Sequence, residues 1–277
     1  MFKKRSIKKA TRQLVTIVEK NVALDMVVKA RFISIFLNPF IQLILYLVIF
    51  RVMFNIDINY EFGYWNFSNY LLFLLLSFCV QFSTPILDKY RQLFFDEKYW
   101  KTLSAIMIAP LNQITLLLGV LASVLAIMAI PFVITYMIAL IMFPIPLEFI
   151  FLNILVFFLI FIVFASIGLI IGAFSISREG LVYYSSIFLR ILLIFSCIYY
   201  PVQFFPEIFQ FFIKLNPLYY AFDLLRLTWY MGINYEIAFA NISLIHILSI
   251  LSLSIISPIV SIYLFKIIYK KYGIKGY

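Results

Sequence analysis

Between Asp96 and Lys101 the sequence reads Asp-Glu-Lys-Tyr-Trp-Lys, two carboxylates and two ammonium groups set among large rings. Charge of both signs beside aromatics is the chemistry of a docking surface, where rings anchor and charges set the register. Tyr99 and Trp100 would serve equally as anchors at a layer of lipid headgroups. No catalytic group is built nearby. The chain has no glycine-rich phosphate loop, no dinucleotide fingerprint, no His-Glu-x-x-His and no nucleophile elbow. Its one histidine, His246, has no Asp or Glu in the apolar runs to relay a proton to, so it reads as a polar residue near an interface, with a relay as the alternative. Cys79 and Cys197 lie in apolar stretches and suit packing better than a disulfide or metal pair. No catalytic residue, metal site or cofactor is expected on this chain.

The elements that must hold the docking segment are membrane helices. Residues are 65% hydrophobic, and the charges cluster so that long charge-free runs separate them: Phe32–Phe50, Phe62–Leu87, Thr102–Leu147, Phe149–Ser177, Ile191–Pro206 and Ile237–Phe265. About 20 apolar residues cross a bilayer core. The runs divide into six spans, near 32–54, 69–87, 114–139, 150–174, 182–202 and 242–265, with Pro144 and Pro146 breaking the chain before the fourth. No interspan stretch has room for a soluble domain, so residues 1–277 form a single transmembrane domain. The same lack of intramembrane carboxylates argues against an ion-coupled carrier.

Orientation follows from charge. All of the 22 Lys and Arg fall on one face except Arg51, Arg190, Lys214 and Arg226. By the positive-inside rule that face is cytoplasmic, with both termini inside. The net charge of +10 is then accounted for by anionic membrane lipid and needs no nucleic-acid partner. Arg51 and Arg190 lie in or near spans, where a long side chain can snorkel or meet backbone carbonyls.

Four features stand out from this plan. The basic segment 1–31, read as mature cytoplasmic sequence, puts Leu14, Val15, Val18 and Val22 on one helical face, which suits an interfacial helix or a plain lead-in to the first span. The cytoplasmic loop 88–113 carries the docking residues. The outer stretch 204–236 is too apolar for a solvated loop: Pro206 and Glu207 start one short helix, Asn216 and Pro217 end it and begin another, and Asp223 and Arg226 are spaced to pair. Ala165, Gly168 and Gly172 in the fourth span allow close helix approach, in a dimer face or within the domain.

Three of these blocks resemble the membrane subunits of type-2 ABC transporters, exporters of drugs, lipids and cell-surface glycans. They are FFDEKYWKTLSAIMIAPLNQITLLLG, GLIIGAFSISREG and YYPVQFFPEIFQFFIKLNPLYYAFDLLR, in that order. The resemblance implies an all-α membrane fold of six spans, an N-terminal interfacial helix and short re-entrant outer helices. It also implies a permease that pairs with a second permease chain, identical or a sister, while a separate ATPase subunit binds ATP and Mg. Asp96, Glu97, Lys98, Tyr99 and Lys101 would meet that ATPase, with Arg178 and Glu179 as a lesser second contact. The first span lacks the Arg-Tyr and Leu-Gly pattern of the glycan branch, having Arg31-Phe32 and no glycine. The expected cargo is therefore a hydrophobic or amphipathic compound, drug-like or lipid, exported across the cell membrane. A glycan exporter is the alternative within the family, and a passive pore the alternative outside it.

Overall fold

A charge-free run inside a bilayer must satisfy its backbone donors and acceptors within itself, which makes helices the required outcome here. The computed structural model describes residues 2–27, 29–56, 62–99, 113–177 and 180–272, and no strand occurs among them. In chain order the helices are α1 (Phe2–Val27), α2 (Lys29–Ile56), α3 (Tyr70–Gln81), α4 (Pro85–Tyr99), α5 (Gln113–Met142), α6 (Leu147–Ser177) and α7 (Gly180–Ile194). A 3-10 turn at Val202–Phe204 follows, then α8 (Glu207–Leu215), α9 (Pro217–Ile233), α10 (Tyr235–Asn241) and α11 (Leu244–Tyr272).

Five segments among the described residues are long and apolar enough to cross a bilayer: Leu37–Phe54, Tyr70–Phe95, Ile114–Met142, Leu147–Ile176 and Leu244–Lys271. The expected fifth span, 182–202, is not one of them. Its helix, α7, stops after 15 residues, about 22 Å at 1.5 Å per residue, short of a hydrocarbon core of about 30 Å. Beyond Ile194 the chain turns, with Cys197 at a φ of 53°, the left-handed geometry that ends helices and is usually left to glycine. Pro201 then bars any restart of the same helix.

The second span is also interrupted. Between Gln81 and Pro85 the Ser83 and Thr84 hydroxyls return to the carbonyls of Val80 (2.6 Å) and Gln81 (2.8 Å), and Pro85 starts α4 where its missing N–H costs nothing. From there α4 stays helical to Tyr99. The first part of the expected loop 88–113 is thus a rigid continuation of the span, and residues 100–112 lie outside the described ones.

Helix α6 is the hub, packed along α4 on one side and α11 on another. Its glycines make the first contact possible. A Cβ on Gly168 would stand 2.5 Å from the Ile86 carbonyl oxygen, and one on Gly172 would stand 2.9 Å from the Tyr90 backbone. Ala165, a turn earlier, is 6% exposed. The small-residue stripe therefore serves packing within this chain. In lipid, apolar burial gives helices little reason to associate, so close backbone approach of this kind holds them together.

At one end α1 lies across α5, where Ile17 fills the space above Gly119, and Phe94 of α4 stacks on Phe265 of α11 at 5.4 Å. Lys266, Lys270 and Lys271 follow there, so we call it the basic end. On α1 Leu14, Val18 and Val22 turn inward, whereas Val15 is exposed, with Ile17 taking the place expected for it. The other end is aromatic. Phe50, Phe62, Tyr200 and Phe204 interlock there, with Phe62 and Phe204 5.2 Å apart and Phe50 and Tyr200 stacked at 6.3 Å. Such ring pairs contribute roughly 0.5–1.5 kcal/mol each, and they anchor the chain leaving α7 to the exit of α2.

Candidate functional site

At the basic end, α4 is held from three sides. Tyr90 and Phe94 press on the glycine face of α6, the Tyr90 hydroxyl donates to the Leu117 carbonyl of α5 at 2.9 Å, and Phe94 meets α11. Its opposite face carries Asp88 and Arg91, joined through Asp88 Oδ1 to Arg91 Nε at 2.9 Å and to Nη2 at 2.8 Å. Asp96, Glu97, Lys98 and Tyr99 form the last turn of this helix, their side chains outside the described residues. Lys101, Arg178 and Glu179 lie outside the described residues altogether. The described structure therefore gives the helix that leads to these residues: it is held against α5, α6 and α11, with the backbone of Asp96–Tyr99 at its end.

Toward the aromatic end, the unwound stretch after α7 is held by side chains from α9. A helix C-terminus leaves carbonyls without partners, and a buried one needs donors from elsewhere. Arg226, 3% exposed, points Nη2 at the Cys197 carbonyl (2.9 Å), the Ile198 carbonyl and Ser77 Oγ (3.0 Å). Its guanidinium carbon sits 3.9 Å from the centre of the Phe73 ring. Asn216 does two jobs. As N-cap of α9 its side chain accepts from Leu218 N at 3.1 Å, while Nδ2 reaches Ser196 Oγ (2.9 Å) and the Leu192 carbonyl (3.3 Å). Pro206 and Glu207 start α8, and Pro217 takes the first position of α9.

Asp223 and Arg226 do not pair with each other as their spacing allows. Asp223 instead accepts from the Tyr64 hydroxyl at 2.8 Å through Oδ1 and from His246 Nε2 at 3.2 Å through Oδ2. The backbone N–H of Ser243 donates to His246 Nδ1 at 3.1 Å, which leaves the imidazole hydrogen on Nε2, directed at Asp223. Burial, then the Asp223 carboxylate, holds the Tyr64 phenol well above its ordinary value of 10, so it stays a donor. One carboxylate thus ties the stretch after α2, the middle of α9 and the start of α11. The cluster lines a cavity of about 540 Å³ into which Lys214 and Gln203 also face. Sequence reasoning left His246 without a carboxylate because its partner is 23 residues away, outside any span.

A second cavity of about 540 Å³ lies between α2, the break after α3, α5 and α7. Arg190 of α7, Lys89 and Arg91 of α4, and Gln42 and Gln81 all line it, the two amides bonded at 3.1 Å. No group of His, Cys, Asp and Glu among the described residues is placed to hold a metal ion.

Long apolar helices packed around a helix that leads into a charged segment suit a transport subunit. The family model described as ABC-2 type transporter matches residues 29–230, from the start of α2 into α9. No curated protein matches the chain significantly. The family match covers most of the sequence and every element built above except α1, α10 and α11, and the chain belongs to the ABC-2 type transporters as a membrane subunit.

Proposed function

We propose that this chain is the permease of an ATP-driven exporter, moving a hydrophobic or amphipathic compound, drug-like or lipid, across the cell membrane. ATP and Mg are bound by a separate ATPase subunit, and a second permease chain, identical or a sister, completes the path. The basic end faces the cytoplasm, because Lys and Arg cluster there. The aromatic end faces out, and α8 exposes Ile208, Phe211 and Leu215, rings and branched chains suited to the outer leaflet.

The observation that carries this reading is the three-sided anchoring of α4. A rigid-body movement delivered to Asp96–Tyr99 passes along α4 into α6 through contacts too close to slip, and into α5 and α11 through Tyr90 and Phe94. A loop would absorb such a movement; a helix seated on two glycines transmits it.

The test is reconstitution of the chain with its cognate ATPase in liposomes carrying a fluorescent short-chain phospholipid. ATP-dependent transfer of the probe between leaflets supports the proposal. Transfer by the chain alone, unchanged by ATP, would make it a passive pore.

A further inference from the structure

The cavity beside Asp223 is lined by hydrogen-bonding groups that the fold itself leaves unused. Arg226 is 3% exposed and lines it, yet its bonds to Ser77, Cys197 and Ile198 all come from Nη2. Among the described residues, the buried side-chain nitrogens and oxygens without a partner are Thr135 Oγ1 and Ser257 Oγ. The Nε and Nη1 donors of Arg226 are not among them, so they reach open space, and this cavity is open space that Arg226 lines. The Gln203 amide and the hydroxyls of Tyr219 and Tyr230 also line it, with no hydrogen-bond partner among the described residues. Asn241 donates through Nδ2 to the Ile237 carbonyl at 2.8 Å and keeps its Oδ1 free. Gly63, at a φ of 69°, makes the room for Gln203: a Cβ there would stand 2.6 Å from Nε2. Unused donors and unused acceptors thus line one space of about 540 Å³, within the range of small-molecule sites.

Charge does not select an ion here. Asp223 shares the wall with Arg226 and Lys214, so an anion meets the carboxylate and a cation meets the guanidinium. Both Asp223 oxygens are already taken, by Tyr64 and His246. Rings supply much of the remaining wall: Tyr64, Trp65 and Tyr230 lie within 6.0 Å of one another, and Tyr219 and Tyr220 are 5.0 Å apart. A neutral ring bearing several hydroxyls fits this set, because each hydroxyl both donates and accepts and its apolar face packs on aromatic surface. Lys214 stands between the exposed Phe212 and Leu215 on α8, so the cavity adjoins the helix suited to the outer leaflet.

We infer that this cavity binds a neutral sugar unit, its ring packed on the tyrosines and its hydroxyls bonded by Arg226, Gln203 and Asn241. The neighbouring apolar surface of α8 favours a sugar carried as the headgroup of an amphiphile over a free saccharide. The inference deepens the export reading by naming a sugar-headed amphiphile as a ligand. It rests on that reading for transport, whereas binding stands alone.

Binding is therefore measured by calorimetry on the full-length chain in phosphatidylcholine nanodiscs, against empty nanodiscs, with neither ATPase nor nucleotide. No sugar-based detergent is present. Three probes share one tail: octyl β-glucoside, octyl phosphate and octyltrimethylammonium. Glucose is the fourth. Octyl glucoside is expected to bind about tenfold more tightly than either charged probe, the size of one or two net hydrogen bonds. Gln203→Ala and Tyr219→Phe each remove a group that bonds to nothing among the described residues, so both variants should keep their fold. Each should weaken octyl glucoside by about threefold or more and leave the charged probes unchanged. Tighter binding of a charged probe, or equal or undetectable binding of all three, overturns the inference. So does a glucoside preference that survives both substitutions together. Glucose that matches octyl glucoside assigns the site to free saccharide, and weaker glucose assigns it to a headgroup; either supports a sugar site. An ATPase that fails to associate would sink the permease proposal and leave this result untouched. Equal binding of the three octyl probes would sink the inference and leave the permease proposal standing.

Discussion

Arg226 Nη2 lies 2.9 Å from the Cys197 carbonyl oxygen, so a buried cation on α9 closes the end of a helix that stops short of crossing the bilayer. The neighbouring Ile198 carbonyl and Ser77 Oγ share the same nitrogen, and Phe73 covers the guanidinium. The result is a polar plug joining α3, α7 and α9 inside an otherwise apolar bundle.

Replacing Arg226 with Ala strands those carbonyls. Each buried orphan costs roughly 1–3 kcal/mol, so the variant should lose about 3 kcal/mol or more, read as a lower thermal midpoint in detergent. Arg226→Lys should recover only part of the loss, because an ammonium on a differently shaped stem loses the flat guanidinium face that lies 3.9 Å from the Phe73 ring. A wild-type midpoint for Arg226→Ala would show that the plug is not structural.

Gly168→Ala puts a methyl 2.5 Å from the Ile86 carbonyl, a backbone atom that cannot rotate away. Overpacking of this kind costs roughly 1–3 kcal/mol. The variant should also weaken the link between ATP hydrolysis and transport, since α4 must lift from α6. Ala165→Ser, on the same stripe without that clash, is the control for both readouts.

Asp223→Ala removes the acceptor shared by Tyr64 and His246. Hydrogen exchange should rise by about tenfold, equivalent to about 1.4 kcal/mol of local protection, at residues 62–69 and at 243–246 together. Acceleration in only one segment would mean that the carboxylate does not join them. His246→Ala should affect the second segment alone.

Much of the fold was legible because apolar periodicity, charge-free length and proline are local signals. Pro144 and Pro146 mark the break between α5 and α6, Asn216-Pro217 marks the α8–α9 junction, and the Gly168/Gly172 spacing marks a close helix approach. The partner of that approach was not legible, since nothing local in GLIIGAFS names Ile86 and Tyr90 as its mate. The end of α7 was missed for the same reason. Ile191–Pro206 has the composition of a span, and its helix stops where Arg226 and Asn216, 20 or more residues on, supply the donors that make stopping affordable. Spacing on one helix suggested an Asp223–Arg226 pair, but each side chain instead meets groups from other elements that the spacing cannot reveal.

The central claim is that α4 receives the movement of an ATPase at its tip. The most direct measurement is ATP hydrolysis by the complex purified with its cognate ATPase, for the wild type and for Asp96→Ala with Glu97→Ala. The account predicts a stable wild-type complex whose hydrolysis responds to added amphiphile, and a variant in which that response is lost or the ATPase dissociates. A variant that keeps both the complex and its full response would contradict the account, because the docking contact would then lie elsewhere.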